Sequence, residues 1–524
     1  MDEHYRSQNG SHNNLKNSYW GRVGIHFIRD APVAYADGVL EIAERVKSRT
    51  GENIPNPRDV SNTVCQAINR PSKLTGFSGF MWLWGKFLEN ELSLIEFAQP
   101  TESIDISVLA GDPVFVKGGL IPCARSKYDK STGLSKDNPR QQLNFQTAFL
   151  DASSIYGTDL VRASALRRFD GTGRLKSTAS MHGSLLPYNE AGFANASPSP
   201  KDNPASYFLS GDIRVNEHIF LTALHTVFMR EHNRLCLELP RRFPSLAGDD
   251  EATYQMARKI VGAIIQTITY NEYLPLLLGE GAIPPYKGYM EDVNPSISNS
   301  FAVVAFRLGH SMVSNQFQLG RSKNTLPLYQ TCFNPRLLNY ISVDLLLEGR
   351  LYQQINPLNT QISDDLRNYR LNYSGGEIQS FLDFAALNIQ RGRDHGIPDY
   401  NTLREAYGLT RVADFADITV NHKMQDSLEK LYQSVDNVDP WIGALAEDNI
   451  AGSLVGALNY TILRDQFTRL RDGDRFWYEN DPMLKEMRAT LSKLRLSNIL
   501  RRNTRIRNVP DDVFRIKGVK LKTG

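Results

Sequence analysis

Cysteine is scarce: the chain of 524 residues holds four (Cys65, Cys123, Cys236, Cys332), none in CxxC or CxxH spacing. That excludes a disulfide framework and a cysteine-based zinc site. Long hydrophobic runs are missing too, since no stretch approaches the ~20 apolar residues that span a bilayer. Residues Met1 to Trp20 are polar and Asn-rich, without the apolar core of roughly 7–15 residues found in a secretory signal. The expectation is a soluble, cytoplasmic chain with no membrane segment. Charge of one sign is also in short supply. The net charge of +3 is too small to imply nucleic acid, and the basic cluster of Arg501, Arg502 and Arg505 reads as solvated surface. What is present is ordinary globular composition, 41% hydrophobic and 22% charged, ample for a large core.

Residues 1–30 read as a flexible lead-in. Apolar periodicity marks a buried helix over 77–97 and the clearest helix over 215–238, where Ile219, Ala223, Val227 and Leu235 recur near 3.6-residue spacing. Further helices are expected over 252–278, 301–314, 376–390 and 452–471. Residues 170–206, rich in Gly, Ser, Pro and Asn, read as a long surface loop, and residues 239–251 as a break. Strand signals are few, short and isolated, and there is no internal repeat. The fold expectation is mainly α, a single large helical domain over 31–515 with a tail at 516–524.

His310 lies in the apolar stretch Ala305 to Val313. A lone histidine there is ordinarily a satisfied core residue. As an iron ligand it would need a neutral imidazole and an acceptor for its second ring N–H, which the Asn388 side-chain carbonyl could supply. Arg391, one turn on, could pair with a haem propionate. Arg214 stands at the start of the 215–238 helix. Its bland reading is a surface arginine; over an iron it would stabilise charge as a peroxide bond breaks. His218, His225 and His232 recur every seven residues, ~10.5 Å apart along a helix, too far for one metal to bind two of them. Thr147, Asp151 and Ser153 alternate around Phe149, so an extended loop would aim their oxygens, with the Phe149 carbonyl, at one point. Such a set suits Ca²⁺, though by spacing alone the signal is weak.

Taken together these segments resemble the animal-type haem peroxidases of the peroxidase–cyclooxygenase superfamily. Trp84-Gly85-Lys86-Phe87-Leu88-Glu89-Asn90-Glu91 is similar to the distal motif W-G-Q-x-x-D-H-D. Phe306 to His310 resembles the proximal F-R-x-G-H, and Leu387 to Asn401 the signature L-N-x-Q-R-x-R-D-H-G-x-P-x-Y-N. Gly211 to Glu217 resembles G-D-x-R-x-x-E, Leu150 to Gly157 the calcium loop, and Arg230 to Arg234 the scaffold R-E-H-N-R. The resemblance implies haem b on His310, oriented by Asn388 and Arg391 and open to ester linkage through Glu217 and Glu89. It implies a distal Arg214, calcium held by Thr147, Phe149, Asp151, Ser153 and Glu91, and structural roles for His225, His232 and His395. It implies hydrogen peroxide and a small electron donor as substrates. Tyr35 to Gly38 and Asn56 to Asn62 look most like the peroxidase-like domain of dual oxidases. Cyclooxygenase relatives carry a radical tyrosine three residues before the proximal histidine; Arg307 stands there, against lipid dioxygenation by that route.

The distal motif departs from its family at Lys86, Glu89, Asn90 and Glu91. Peroxide heterolysis needs a base that takes a proton from one oxygen and returns it to the other. An amide cannot accept that proton, and losing such a group costs roughly 10²–10⁴-fold in rate. Glu89 or His218 could substitute; a protonated Lys86 adds charge and is no base. Three readings stand: a peroxidase with modified distal chemistry, a catalytically weak haem-binding pseudo-peroxidase acting as a sensor or interaction domain, and a specialised biosynthetic haem oxidase.

Overall fold

The structure, a computed structural model, describes residues 4–42, 54–67, 75–116, 118–198, 202–372 and 378–516. Nearly all of the tail expected over 516–524 lies outside them. The protein is mainly α, as expected, and the strands named among the described residues form only two-stranded antiparallel pairs.

Helix α1 (Gly79–Leu92) begins where the Ser78 side chain accepts from Phe80 N, a serine N-cap. It is apolar nearly all round, and Trp84, Phe87 and Leu88 are wholly buried, as a helix through the core must be. Helix α2 (Ile219–Arg242) starts four residues later than the periodicity suggests. Residues 211–217 are held as turns, with Arg214 N donating to Asp212 Oδ1 at 2.6 Å, and His218 is the N-cap. Arg241 and Arg242 close the helix, suiting its negative end. Helix α3 (Asp250–Ile268), N-capped by Asp249, packs on α2 and runs into a π-helical turn, Thr269–Tyr273, and a short helix, Leu274–Leu278.

Two expected helices come out divided. The 301–314 stretch is a short helix, Asn299–Val303, followed by a 3-10 segment, Ala305–Met312. The 376–390 stretch opens as a strand, Ile378–Leu382, antiparallel to Tyr369–Asn372. Helix α4 (Phe384–Asp394) then starts where Asp383 Oδ1 accepts from Ala385 N and Ala386 N. Helix α5 (Ala457–Asp472) starts five residues later than the stretch expected over 452–471.

The lead-in is a correction. From residue 4 the chain is tied down rather than loose: Arg6 pairs with Asp474, Asn13 Nδ2 donates to Asp474 Oδ1 at 2.7 Å, and Ile25–His26 pairs with Leu143–Asn144. The ties of Arg6 and Asn13 depend on a partner more than 400 residues away, which local composition cannot reveal. The four cysteines are free thiols. Among the described residues no helix is long and apolar enough to cross a membrane.

Candidate functional site

A small cavity of about 60 Å³ lies between α1 and the 3-10 segment. Trp82, Lys86 and Glu89 line it from α1, Phe306, Arg307 and His310 from the 3-10 segment, and Tyr273 from the π-helical turn. Gly85 is needed at this wall, since a Cβ there would stand 2.7 Å from the Tyr273 hydroxyl.

On the proximal side His310 Nδ1 lies 2.8 Å from the Asn388 side-chain amide. Turning that carboxamide over exchanges nitrogen for oxygen in place. The ring then donates Nδ1–H to the carbonyl and keeps a lone pair on Nε2. Burial first, then Arg307 and Lys86, push His310 down to about 3. The imidazole is therefore neutral near pH 7, the form a metal ligand requires. Arg391 spends NH1 on Asp394 Oδ2 (2.9 Å), Ser126 Oγ (2.8 Å) and the Ala124 carbonyl (2.9 Å). It is anchored beside Asn388 rather than pointing free.

The distal side is an ion cluster. Lys86 Nζ is 2.7 Å from Glu89 Oε2 and 3.1 Å from Glu217 Oε2. Arg214 NH2 donates to Asp212 Oδ2 at 2.7 Å and to the Asn90 carbonyl at 3.0 Å, with NH1 3.7 Å from Glu89. Gly211 sets this geometry: a Cβ there would collide with Gly157 N and Ser153 O, so the segment carrying Arg214 docks flush on the 147–157 loop. Burial would raise the Glu89 carboxyl, but Lys86, Arg214 and Arg307 outweigh it and hold it well below the carboxylate range. Against burial, Glu217 and Glu89 raise Lys86, so it stays an ammonium.

Asn90, next to Glu89 on α1, is fully buried and is not among the residues that line the cavity. Neither its amide nitrogen nor its oxygen has a partner among the described residues. An unmade hydrogen bond of this kind costs ~1–3 kcal/mol, and native interiors rarely keep one without a ligand or water to meet it.

His218, expected as a stand-in base, is committed elsewhere. Its Nδ1 faces the Phe220 N–H at 3.4 Å, its Nε2 pairs with Thr331 Oγ1 at 2.9 Å, and its ring packs 5.0 Å from Trp82. It does not line the cavity, and burial holds it well below the usual histidine value. The helix start at Ile219 turned it away, a shift that periodicity could not show. His225, His232 and His395 each hold a hydrogen bond, to Leu221 O (2.9 Å), the Tyr156 hydroxyl (2.8 Å) and Asn299 Oδ1 (2.7 Å).

In the oxygen-rich segment the Thr147, Asp151 and Ser153 side chains meet around a turn at Ala152 rather than along an extended loop. Thr147 Oγ1 lies 3.1 Å from Asp151 Oδ1 and 3.2 Å from Ser153 Oγ. Glu91 reaches in from α1 and accepts from Asp151 N (3.1 Å) and Ser154 N (2.9 Å). Burial and the Asp151 carboxylate push Glu91 up to about 8. Asp151 Oδ2 is buried without a partner among the described residues. The Phe149 ring packs under Arg6, 5.5 Å from its guanidinium.

Two cavity residues escaped sequence reasoning. Arg307 registered only as the absence of a tyrosine, although its place in the F-R-x-G-H stretch could have marked it. Tyr273 carried no signal. It is fully buried, and its hydroxyl is unpartnered among the described residues.

Residues 5–514 match the family model described as animal haem peroxidase. Lactoperoxidase of Mesocricetus auratus is 35% identical over 97% of this chain and 77% of that protein. Thyroid peroxidase of Rattus norvegicus is 32% identical over 98% of this chain and 61% of that protein. Among solved structures, peroxidase A from Dictyostelium discoideum superposes with a TM-score of 0.87 at 31% identity, covering 98% of this chain and all 100% of that one.

Proposed function

From the premise that the chain belongs to the animal haem peroxidase family and is a haem peroxidase-type oxidoreductase acting on hydrogen peroxide and a donor, we propose that it works without a distal acid–base side chain. The carrying observation is the buried Asn90 carboxamide, without a partner among the described residues, next to Glu89 on the helix that also carries Lys86. Lys86 and Arg214 stay protonated, and Glu89 is held well below the carboxylate range.

The residues fit a haem. A neutral His310 faces the cavity with a lone pair to give, and Asn388 orients it; Arg391 is the nearby cation for a propionate. When bound, the haem supplies the redox chemistry by which peroxide is reduced and a donor oxidised. The side chains of the protein do the rest. Asn90 offers the peroxide both a donor and an acceptor. Arg214 sets a fixed positive charge beside the breaking bond. Lys86 Nζ, held as an ammonium by Glu89 and Glu217, adds a second fixed positive charge. Glu89 and His218, tied to Lys86 and Thr331, do not take the peroxide proton, which leaves through solvent. The same Lys86 engages both carboxylates available for ester linkage, so the haem is held without an ester bond.

Calcium is proposed at Thr147, Phe149, Asp151, Ser153 and Glu91. The support is the orphaned Asp151 Oδ2 and the mutual repulsion of two buried carboxyls, which a divalent cation relieves. Residues 5–514 are proposed as one catalytic unit. The second reading, a haem-binding protein of weak activity, draws on the same ion cluster, because every distal charge is already balanced by a neighbour. Stopped-flow spectra after equimolar hydrogen peroxide separate the two. A Soret shift complete within seconds and reversed by a phenolic donor supports the peroxidase; slow bleaching alone supports the weak binder.

A further inference from the structure

Aromatic side chains form a line from the cavity wall, two phenylalanines followed by oxidisable tyrosines and a tryptophan. Phe306, on the cavity wall, meets Phe467 edge-on at 5.6 Å. Phe467 stands 6.2 Å from Tyr270, and Tyr270 4.8 Å from Trp477. Trp477 in turn lies 5.1 Å from Tyr478 and 6.0 Å from the half-buried Tyr286. Every step falls within the ~4.5–7 Å of rings in contact. Tyr270 belongs to the π-helical turn, and its hydroxyl donates to the Phe467 carbonyl. Core packing alone would explain the rings. It would not explain the outer end, where the Trp477 indole N–H donates at 3.2 Å to Glu479, an exposed carboxylate. Losing an electron makes an indole N–H strongly acidic, and here an exposed carboxylate already accepts its hydrogen bond.

We propose that this line is an electron route by which the protein oxidises macromolecular one-electron donors, too large for the cavity, at the surface beside Glu479 and through the buried Trp477. The proposal rests on the reading of the cavity given above. Reducing one hydrogen peroxide to two waters consumes two electrons and two protons, the protons drawn from solvent. Each electron leaves the Trp477 indole inward along the rings, and the N–H proton moves to Glu479, leaving a neutral indolyl radical. The donor outside returns one electron and Glu479 returns the proton. Trp477 is restored, and the donor is oxidised by one electron; two such rounds match one peroxide.

The test uses the haem-loaded full chain, with ferrocytochrome c as the large donor and guaiacol as the small one. A nitroso spin trap, added with peroxide in the absence of donor, is mapped by peptide mass spectrometry. The wild type is expected to trap at Trp477, Tyr478 or Tyr286. Trp477→Phe keeps a ring in the core, and is expected to lose that adduct and to slow ferrocytochrome c oxidation on the order of tenfold while guaiacol oxidation is unchanged. Glu479→Gln, at an exposed site that leaves the core intact, is expected to slow ferrocytochrome c selectively as well. Adducts and both rates unchanged in the two variants, with guaiacol turned over, overturn the route. If the wild type does not oxidise guaiacol, the reading of the cavity fails, and the route, left with nothing to carry, falls with it.

Discussion

Asn90→His restores the group that the distal site lacks. The position is fully buried on α1, one turn from Phe87. The fate of a new imidazole there can be judged from its neighbours. Burial takes His225 down to about 4 and His310 down to about 3. Lys86 and Arg214, both positive and close by, act in the same direction. The introduced ring is therefore neutral from pH 5 upward and able to accept a proton. A positioned base of this kind contributes roughly 10²–10⁴-fold, which at ~1.36 kcal/mol per tenfold is about 2.7–5.4 kcal/mol of barrier. The assay is the second-order rate of the Soret change on mixing with hydrogen peroxide, with haem content measured by pyridine haemochrome. The expected outcome is a rate at least 10²-fold higher at equal haem content. An unchanged rate in a folded, haem-loaded variant refutes the reasoning and means that another group already moves the proton.

Lys86→Gln frees Glu89 and Glu217 together. After peroxide treatment, acidified-solvent extraction is expected to leave haem on the variant and to strip it from the wild type; equal stripping from both refutes the role given to Lys86. His310→Gln is expected to abolish the Soret band while far-UV circular dichroism is retained, because the ring is only half-buried at the cavity wall. Glu91 makes the calcium loop sensitive to pH. Its folded value of about 8 lies above its ordinary 4.5, so its contribution is full below pH 4.5 and is lost as pH rises through 8. The melting temperature of chelator-treated protein should fall over that window, and added calcium should restore most at the alkaline end; a calcium effect equal at all pH values contradicts this.

The proximal site was legible in the sequence because its parts are local. His310 sits in a short apolar stretch, and Asn388 and Arg391 sit one turn apart on one helix. The meeting of the Thr147, Asp151 and Ser153 side chains was legible for the same reason, their positions falling within seven residues. The distal chemistry was only half legible. The Lys86–Glu89 pair follows from i,i+3 helical spacing, but the bond from Lys86 to Glu217 joins two distant segments. The surroundings of His218 depend on where α2 begins, and capping of turns by side chains blurs that boundary. The fixed course of residues 4–30 was hidden because Asp474, which anchors Arg6 and Asn13, comes from the other end of the chain.

The central claim is that no distal side chain titrates to serve the peroxide. Glu89 is held well below the carboxylate range, Lys86 is held above its ordinary value, and His218 is held far down. The most direct test is the rate of peroxide reduction by the haem-loaded protein, measured in single turnover from pH 5 to pH 8. The account predicts a slow reaction with no break across that range. A fast reaction with an inflection inside it would reveal a working base and contradict the account.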